Sequence, residues 1–500
     1  MTAAQMSVPK FADGLERAEP REVAVDAATV EAFLDDAAAT GLEIHGLMLH
    51  RSGRVAAEGW WWPYRADRPR IMHSATKSVM ASAIGMALDE GRFKLQDKVV
   101  AFFPEYLPAV VDDKLAAMTI EDLLTMRTGH AAETSGALWR GIQSSWTAEF
   151  FRIPVVYTPG TVYMYTSAAS YMLSAILTRV TGQTLHDYLK PRFFAPLGIT
   201  GEQWDIGPDN INPGGNGLTM TTADLLKLGI LHAQRGLWHG RRLLSEAWIS
   251  EATRSHGEDN YGYQWATAAG GTYLAIGLFM QFVMIFPHHQ ATLAVIGAMQ
   301  EGSKAFLPVV QRHFPRAFEK MLPADEAALA DERLGVRLAA AARKPVLAST
   351  TAQRGGSSTR SAQISGRTYR VEPNTVGVTA LRFEFAPERC VFHLTAAGAE
   401  YTVVCGLGDW IETKTDVPGR ELHHGYSFKS TPVVAGARWL DDNTLEMTWI
   451  FVETAFRDTV VCRFEPDRVI LERSVNVNSS ALSWPALSGV LSDSMLGRTH

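Results

Sequence analysis

Past residue 364 the chain stops mixing helix-type and strand-type runs and becomes a succession of short apolar β-type segments. These are Ile364 to Val371, Ala380 to Phe385, Cys390 to Thr395, Tyr401 to Cys405, Ala435 to Leu440, Leu445 to Phe451, Asp458 to Phe464 and Val469 to Arg473. About eight strands with turn residues between them and no intervening helix bury their apolar faces as a barrel or sandwich. Just upstream, Ala348 to Gln363 is rich in Ser, Thr, Gly and Arg and has no apolar period, the composition of a linker. A chain of 500 residues also exceeds what one hydrophobic core usually serves. The expected division is therefore a first domain over 1–345, a linker over 346–363 and an all-β domain over 364–500.

The first domain has a different texture. Val23 to Thr40 has helical periodicity, and Ile44 to His50 and Arg54 to Trp61 read as two strands joined through Arg51, Ser52 and Gly53. Ser74 to Glu90 is a second helix with Gly91 as its terminator. Leu95 to Thr253 is mostly helical, Tyr261 to Met299 returns to strand-like runs, and Pro323 to Arg343 is one more Ala-rich helix. Strands that flank a helical middle predict a sheet built from both ends of the domain, with a cleft where the inserted helices meet it.

Composition removes several function classes. The formal charge of −6 is small for this length, and no basic block or aromatic-interleaved basic stripe is present, which argues against nucleic acid as a partner. The longest apolar stretches, such as Leu274 to Phe286, are interrupted by Gly and Gln and are too short to span a bilayer. Met1 to Glu16 lacks the apolar core of a secretory signal, so a cytoplasmic location is the expectation. Cys390, Cys405 and Cys462 each lie in a β-type run, where a buried reduced thiol is expected. The adjacent pairs His288/His289 and His423/His424 lack ligand spacing, so no metal site and no cofactor are expected.

Ser74 and Lys77 supply the candidate chemistry. Three residues apart on a helix, they share a face, and the amine can take part in deprotonating the hydroxyl. Unpaired N–H groups at a helix N-terminus favour an oxyanion nearby. A plain capping reading is also open, with Ser74 as N-cap and Lys77 solvated, although a cation is disfavoured at that end of a helix. Tyr165 follows Pro159 and Gly160 and precedes a helical run, so Thr161 to Ser167 is expected as a loop presenting Tyr165 and Ser167 to the cleft. Next to an ammonium, Tyr165 would have a lowered pKa and could serve as a base.

These residues belong to an ordered series. Ser74 to Lys77, then Thr119, Ile120, Asp122, Leu123, Leu124, Thr125, Thr128 and Gly129, then Pro159, Gly160, Tyr165 and Ser167, run in sequence. Ala195 to Gly198, then Gly217, Leu218, Thr221, Asp224 and Leu225, and finally Tyr261 to Trp265 with Ala275, Gly277 and Gln281, complete it. The series resembles the motifs of the β-lactamase-related serine hydrolases, which include class C β-lactamases, D-amino-acid peptidases, β-lactamase-fold carboxylesterases and 6-aminohexanoate-dimer hydrolase. The resemblance implies an α/β domain of the serine β-lactamase and penicillin-binding-protein type, an antiparallel sheet with flanking helices and a helical subdomain. The all-β domain resembles the lipocalin-like barrels appended to some members.

Carried over, Ser74 would be the nucleophile, Lys77 and Tyr165 the general base and acid, and Ser167 their hydrogen-bonding neighbour. The backbone N–H groups of Ser74 and Leu278 would form the oxyanion hole. Ala275, Gly277, Gln281, Trp62 and Phe279 would bind substrate, with Gly277 small so that substrate can pass close to its strand. Ser167 stands where the family has asparagine, and Ala275 where it has lysine or histidine. The lost cation argues against efficient recognition of a β-lactam or D-Ala-D-Ala carboxylate. The implied activity is hydrolysis of a small carboxylic ester or amide through an acyl-serine. The alternatives are a β-lactamase or D-aminopeptidase, and a scaffold that keeps the fold without turnover. The expected partner is a small-molecule ester or amide substrate, with no nucleic acid and no membrane, and a homo-oligomer is left open. Gly406 to Gly425, with Trp410, His423 and His424, is expected as a surface loop, with a gate over the cleft as the alternative.

Overall fold

A computed structural model describes residues 13–133, 135–347 and 359–492. Residues 1–12 of the stretch examined for a secretory signal, and residues 348–358 of the expected linker, lie outside the described residues. The chain divides into two compact units, 1–297 with 302–342, and 298–301 with 343–500.

In the first unit the hairpin strands β1 (Glu43–Arg51) and β2 (Arg54–Trp60) combine with β3 (Tyr273–Gly277), β4 (Gln281–Phe286) and β5 (Ala291–Ala298). Short strands Glu16–Arg17 and Ala266–Thr267 complete a seven-stranded sheet in the order Glu16–Arg17, β2, β1, β5, β4, β3, Ala266–Thr267. The two ends of the domain thus share one sheet. Every residue of β4 and β5 is buried, because helices cover both faces and no solvent face remains to carry polar alternation. Phe282 and Phe286 pack towards Phe306 and Phe314 on one side. On the other, a Cβ on Gly229 would lie 2.5 Å from side-chain carbons of Val283 and Thr292, so only a glycine lets its helix approach this closely.

The helices that matter for the site are α1 (Ala27–Ala39), α2 (Thr76–Asp89), α3 (Ser167–Thr181) and α4 (Thr222–Ala233). Two boundaries differ from the sequence expectation. Ser74 lies not in α2 but in a short 3-10 turn, His73–Ala75, that leads into it. Ser167 is not the end of a loop but the first residue of α3, with Thr166 as N-cap accepting from Ala168 N–H.

In the second unit a helix spans Thr359–Ile364, where the end of the linker and the start of a strand are expected from sequence. Ten strands follow: β6 (Thr368–Val371), β7 (Val378–Ala386), β8 (Arg389–Ala396), β9 (Ala399–Leu407), β10 (Trp410–Thr415), β11 (Thr431–Trp439), β12 (Thr444–Phe451), β13 (Arg457–Phe464), β14 (Arg468–Val475) and β15 (Leu487–Leu491). Nine of them form a ring, closed by a short parallel pairing of Gly406 with Gly436 and Leu407 with Ala437, while β10 pairs along β11 outside the ring order. Closure removes the sheet edges. Along β13 every second residue is buried, as an inward-facing row requires. The segment after β10 is not a surface loop: Val417, Leu422 and His423 are buried, and His423 Nε2 lies 2.8 Å from Oδ1 of Asp458 on that inward row.

Candidate active site

Two elements fix the approach to Ser74. Arg70–Ile71 pairs with Leu218–Met220, and Met72 N–H donates to the Leu218 carbonyl at 2.8 Å, so the chain enters the 3-10 turn from a small anchored sheet. On the other flank, a Cβ on Gly277 would sit 2.2 Å from the Met72 carbonyl oxygen. Gly277 is therefore small because the nucleophile's own turn lies against β3, rather than to let substrate pass. His73 adopts a left-handed φ of 47° beside this contact, which is costly for a residue with a side chain and bends the chain sharply before Ser74.

Lys77 is 2% exposed and is held on three sides. Its Nζ donates to Ser74 Oγ at 3.3 Å, Ser167 Oγ at 3.1 Å and the Gly215 carbonyl at 3.0 Å. None of these partners carries a formal charge. Burial without a charged partner disfavours the ammonium and pulls Lys77 down to about 7, with Glu133 opposing the shift and Arg140 assisting it. Tyr165 stands beside the amine, its ring centroid 4.8 Å from Nζ. The phenol moves opposite to the sequence expectation. Although the residue is 36% exposed, its ring end is crowded enough that desolvation pushes the phenol up to about 12; the hydrogen bond to Ser74 works against that rise and the charge of Glu133 adds to it. Near neutral pH Tyr165 is a protonated hydrogen-bonding group, and the amine is the group poised to accept a proton.

Leu278 follows Gly277 at the end of β3 and is 37% exposed. The remaining strand residues predicted to bind substrate are turned inward. Gln281 is fully buried, and its side chain bridges Arg70 Nε (3.1 Å) and the carbonyls of Leu278 (3.2 Å) and Gly297 (3.3 Å). It braces the end of β3 instead of facing a ligand. Ala275 is 1% exposed and belongs to the hydrophobic core. Phe279 is buried edge-on against His73, ring centroids 5.6 Å apart. Trp62 is half-buried, its backbone N–H donating to the Ala341 carbonyl at 2.9 Å.

Residues outside the ordered motif series complete the site. A Cβ on Gly215 would lie 3.2 Å from Lys77 Nζ, and Gly214 is pressed against the Ser170 carbonyl, so the glycine pair lets the chain reach the amine. Ser167 and Gly215 also line a narrow recess walled by Ser135, Trp139, Trp146 and Tyr171, with space for about one water-sized group. The three rings stand 5.5–5.9 Å apart. No motif carries this wall, but Trp139 and Trp146 are among the aromatic residues that the sequence offers as lining for an uncharged acyl group, whereas Ser135 and Tyr171 are not. Among the described residues no group of His, Cys, Asp or Glu is arranged to hold a metal ion, and no helix is long and apolar enough to cross a membrane.

The beta-lactamase family model matches residues 27–304, more than half of the chain and all of the site just described. The chain belongs to the beta-lactamase family. Among curated relatives it is 28% identical over 173 residues to a lovastatin esterase from Penicillium rubens, an alignment covering 30% of this chain and 43% of that protein. It thus matches less than half the length of that relative. It is 23% identical over 282 residues to 6-aminohexanoate-dimer hydrolase from Paenarthrobacter ureafaciens, covering 50% of this chain and 71% of the relative. A solved Bacillus anthracis protein, provisionally assigned as a 6-aminohexanoate-dimer hydrolase, superposes with a TM-score of 0.50 at 16% identity, covering 64% of this chain and 88% of its own. That superposition bears on the fold. The two curated relatives are named as an esterase and a hydrolase, and the first unit carries the family's fold.

Proposed function

We propose that the chain is a serine hydrolase that cleaves a small carboxylic ester or amide through an acyl-serine intermediate. The observation that carries this reading is Lys77 Nζ, buried and brought to about 7, at 3.3 Å from Ser74 Oγ. The neutral amine takes the Ser74 proton as Oγ bonds to the carbonyl carbon, and the carbonyl electron pair moves to oxygen. Backbone N–H groups of Ser74 and Leu278 stabilise that oxyanion. Collapse of the intermediate breaks the bond to the leaving group, which receives a proton from the Tyr165 phenol, and the Lys77 ammonium resupplies Tyr165. Water then adds to the acyl carbon, returns its proton through the same pair and frees the carboxylic acid and Ser74.

Ala275 supports an ester or amide over a β-lactam, since a buried methyl offers no cation for a substrate carboxylate. The narrow recess beside Ser167 favours a compact substituent there. The test is a series of p-nitrophenyl esters of graded chain length assayed beside nitrocefin. Turnover of the short esters with kcat/KM rising through about pH 7 is expected, because the working form of Lys77 is the neutral one. Nitrocefin cleavage exceeding every ester would reverse the substrate assignment.

A further inference from the structure

Glu133 lies in the chain after Gly129, and the mechanism above does not use it, yet its carboxylate is committed to the site. Oε2 accepts from Ser167 N–H at 2.7 Å. Oε1 accepts from Thr166 Oγ1 at 3.3 Å, from Ser135 N–H at 2.7 Å and from Ser135 Oγ. Ser167 is the first residue of α3, so its N–H has no partner within the helix and points out of a positive helix end. A carboxylate satisfies that end better than a neutral acceptor, and it reaches Ser167 and Ser135 together because it has two accepting oxygens. The same Ser167 uses its Oγ to accept from Lys77 at 3.1 Å. Glu133, Ser167, Lys77 and Ser74 therefore form one connected line.

Resting on the function proposed above, we propose that Glu133 is a positioning residue: its carboxylate fastens the first turn of α3 so that Ser167 holds Lys77 against Ser74, and its negative charge acts on the amine in opposition to Arg140. The Tyr165 ring lies beside Lys77, and the charges that act on the amine from farther away are those of Glu133 and Arg140, with opposite sign. His130 also feels Glu133, but burial draws its imidazole down to about 4, leaving it neutral over the working range. Removing the Glu133 charge makes the Lys77 ammonium harder to hold, so the amine loses its proton at lower pH; removing the Arg140 charge does the reverse.

The experiment is the pH profile of kcat/KM on a p-nitrophenyl ester for the full chain and for Glu133→Gln, Glu133→Asp and Arg140→Gln. A parallel titration of Lys77 by 13C NMR in lysine-labelled protein reads the same shift without substrate. Expected is an acidic limb moved down by about half to one pH unit in Glu133→Gln and up by a similar amount in Arg140→Gln. Glu133→Asp keeps the charge with a shorter reach, so its limb stays near that of the parent while kcat falls about tenfold. A Glu133→Gln variant with a parent-like melting curve and an unmoved limb would overturn the proposal, as would an unmoved Lys77 titration. Failure of the hydrolase reading looks different: the parent chain itself shows no ester turnover and no Ser74 adduct, while the NMR titration still reports on Glu133.

Discussion

Burial brings the Lys77 amine to about 7 and leaves the Tyr165 phenol at about 12, and this ordering has consequences for activity and for stability. For activity, Lys77→Ala and Tyr165→Phe should each lower kcat/KM on an ester by about a hundredfold or more with an unchanged far-UV spectrum. For stability the sign follows from linkage. The folded-state value of Lys77 lies below its unfolded value of about 10.4, so between about pH 7 and pH 10 the unfolded chain binds a proton that the folded chain does not. Stability contributed at this site rises with pH across that window. Lys77→Met should therefore be more stable than the parent at pH 6, by on the order of 2–4 kcal/mol, with the gap closing towards pH 10 in urea titrations. Ser74 and Lys77 were legible in the sequence because helical spacing joins them. Glu133 and Gly215 were not, since a carboxylate and a carbonyl arriving from distant loops leave no period. The Tyr165 shift runs against the sequence expectation for a related reason: a neighbouring cation can be inferred from residue spacing, whereas the desolvation that outweighs it arises only in the packed chain.

At the level of elements, most of the ordered motifs act as scaffold. Thr119 and Asp122, and Thr221 and Asp224, are reciprocal capping boxes that start two helices. The carbonyls of Met126 and Gly129, both in left-handed turn conformations, accept from Met164, Val156 and Tyr157 and hold the loop that delivers Tyr165. Gln264 joins three pieces, accepting from Ser78 and Ser170 and donating to the carbonyls of Leu123 and Leu124. Sequence reading found the motifs but not this division of labour, because a cap and a catalytic hydroxyl look alike as letters. The most exposed weakness of the scaffold is the contact of β3 with the turn of Ser74. Gly277→Ala places a methyl 2.2 Å from the Met72 oxygen, so it should cost about 2 kcal/mol or more by thermal melting and slow acylation of Ser74. Parent-like melting and acylation would show that β3 does not set the nucleophile's position.

Over the whole molecule, the two-part character was readable from texture alone, and the barrel strands were anticipated except β10 and β15. Both omissions have a cause: β10, Trp-Ile-Glu-Thr-Lys-Thr, is largely polar, and β15, Leu-Ser-Gly-Val-Leu, is short and contains a glycine. Nothing in the sequence revealed that Asp458 and Arg473 pair inside the barrel. Arg473 Nε donates to Asp458 Oδ2 at 2.7 Å, and both side chains are essentially without solvent exposure. Removing Arg473 leaves the buried Asp458 carboxylate with His423 as its remaining partner, so Arg473→Leu should destabilise the barrel by about 2–4 kcal/mol in urea unfolding, with the joint change Asp458→Leu/Arg473→Leu costing less. The central claim concerns the other unit, and the most direct measurement is to treat the full chain with a fluorophosphonate and locate the adduct by peptide mass spectrometry. The account predicts one phosphonyl group on Ser74, formed faster as pH rises through about 7 and lost in Lys77→Ala. Modification at another serine, or ester turnover that persists in Ser74→Ala, would contradict it.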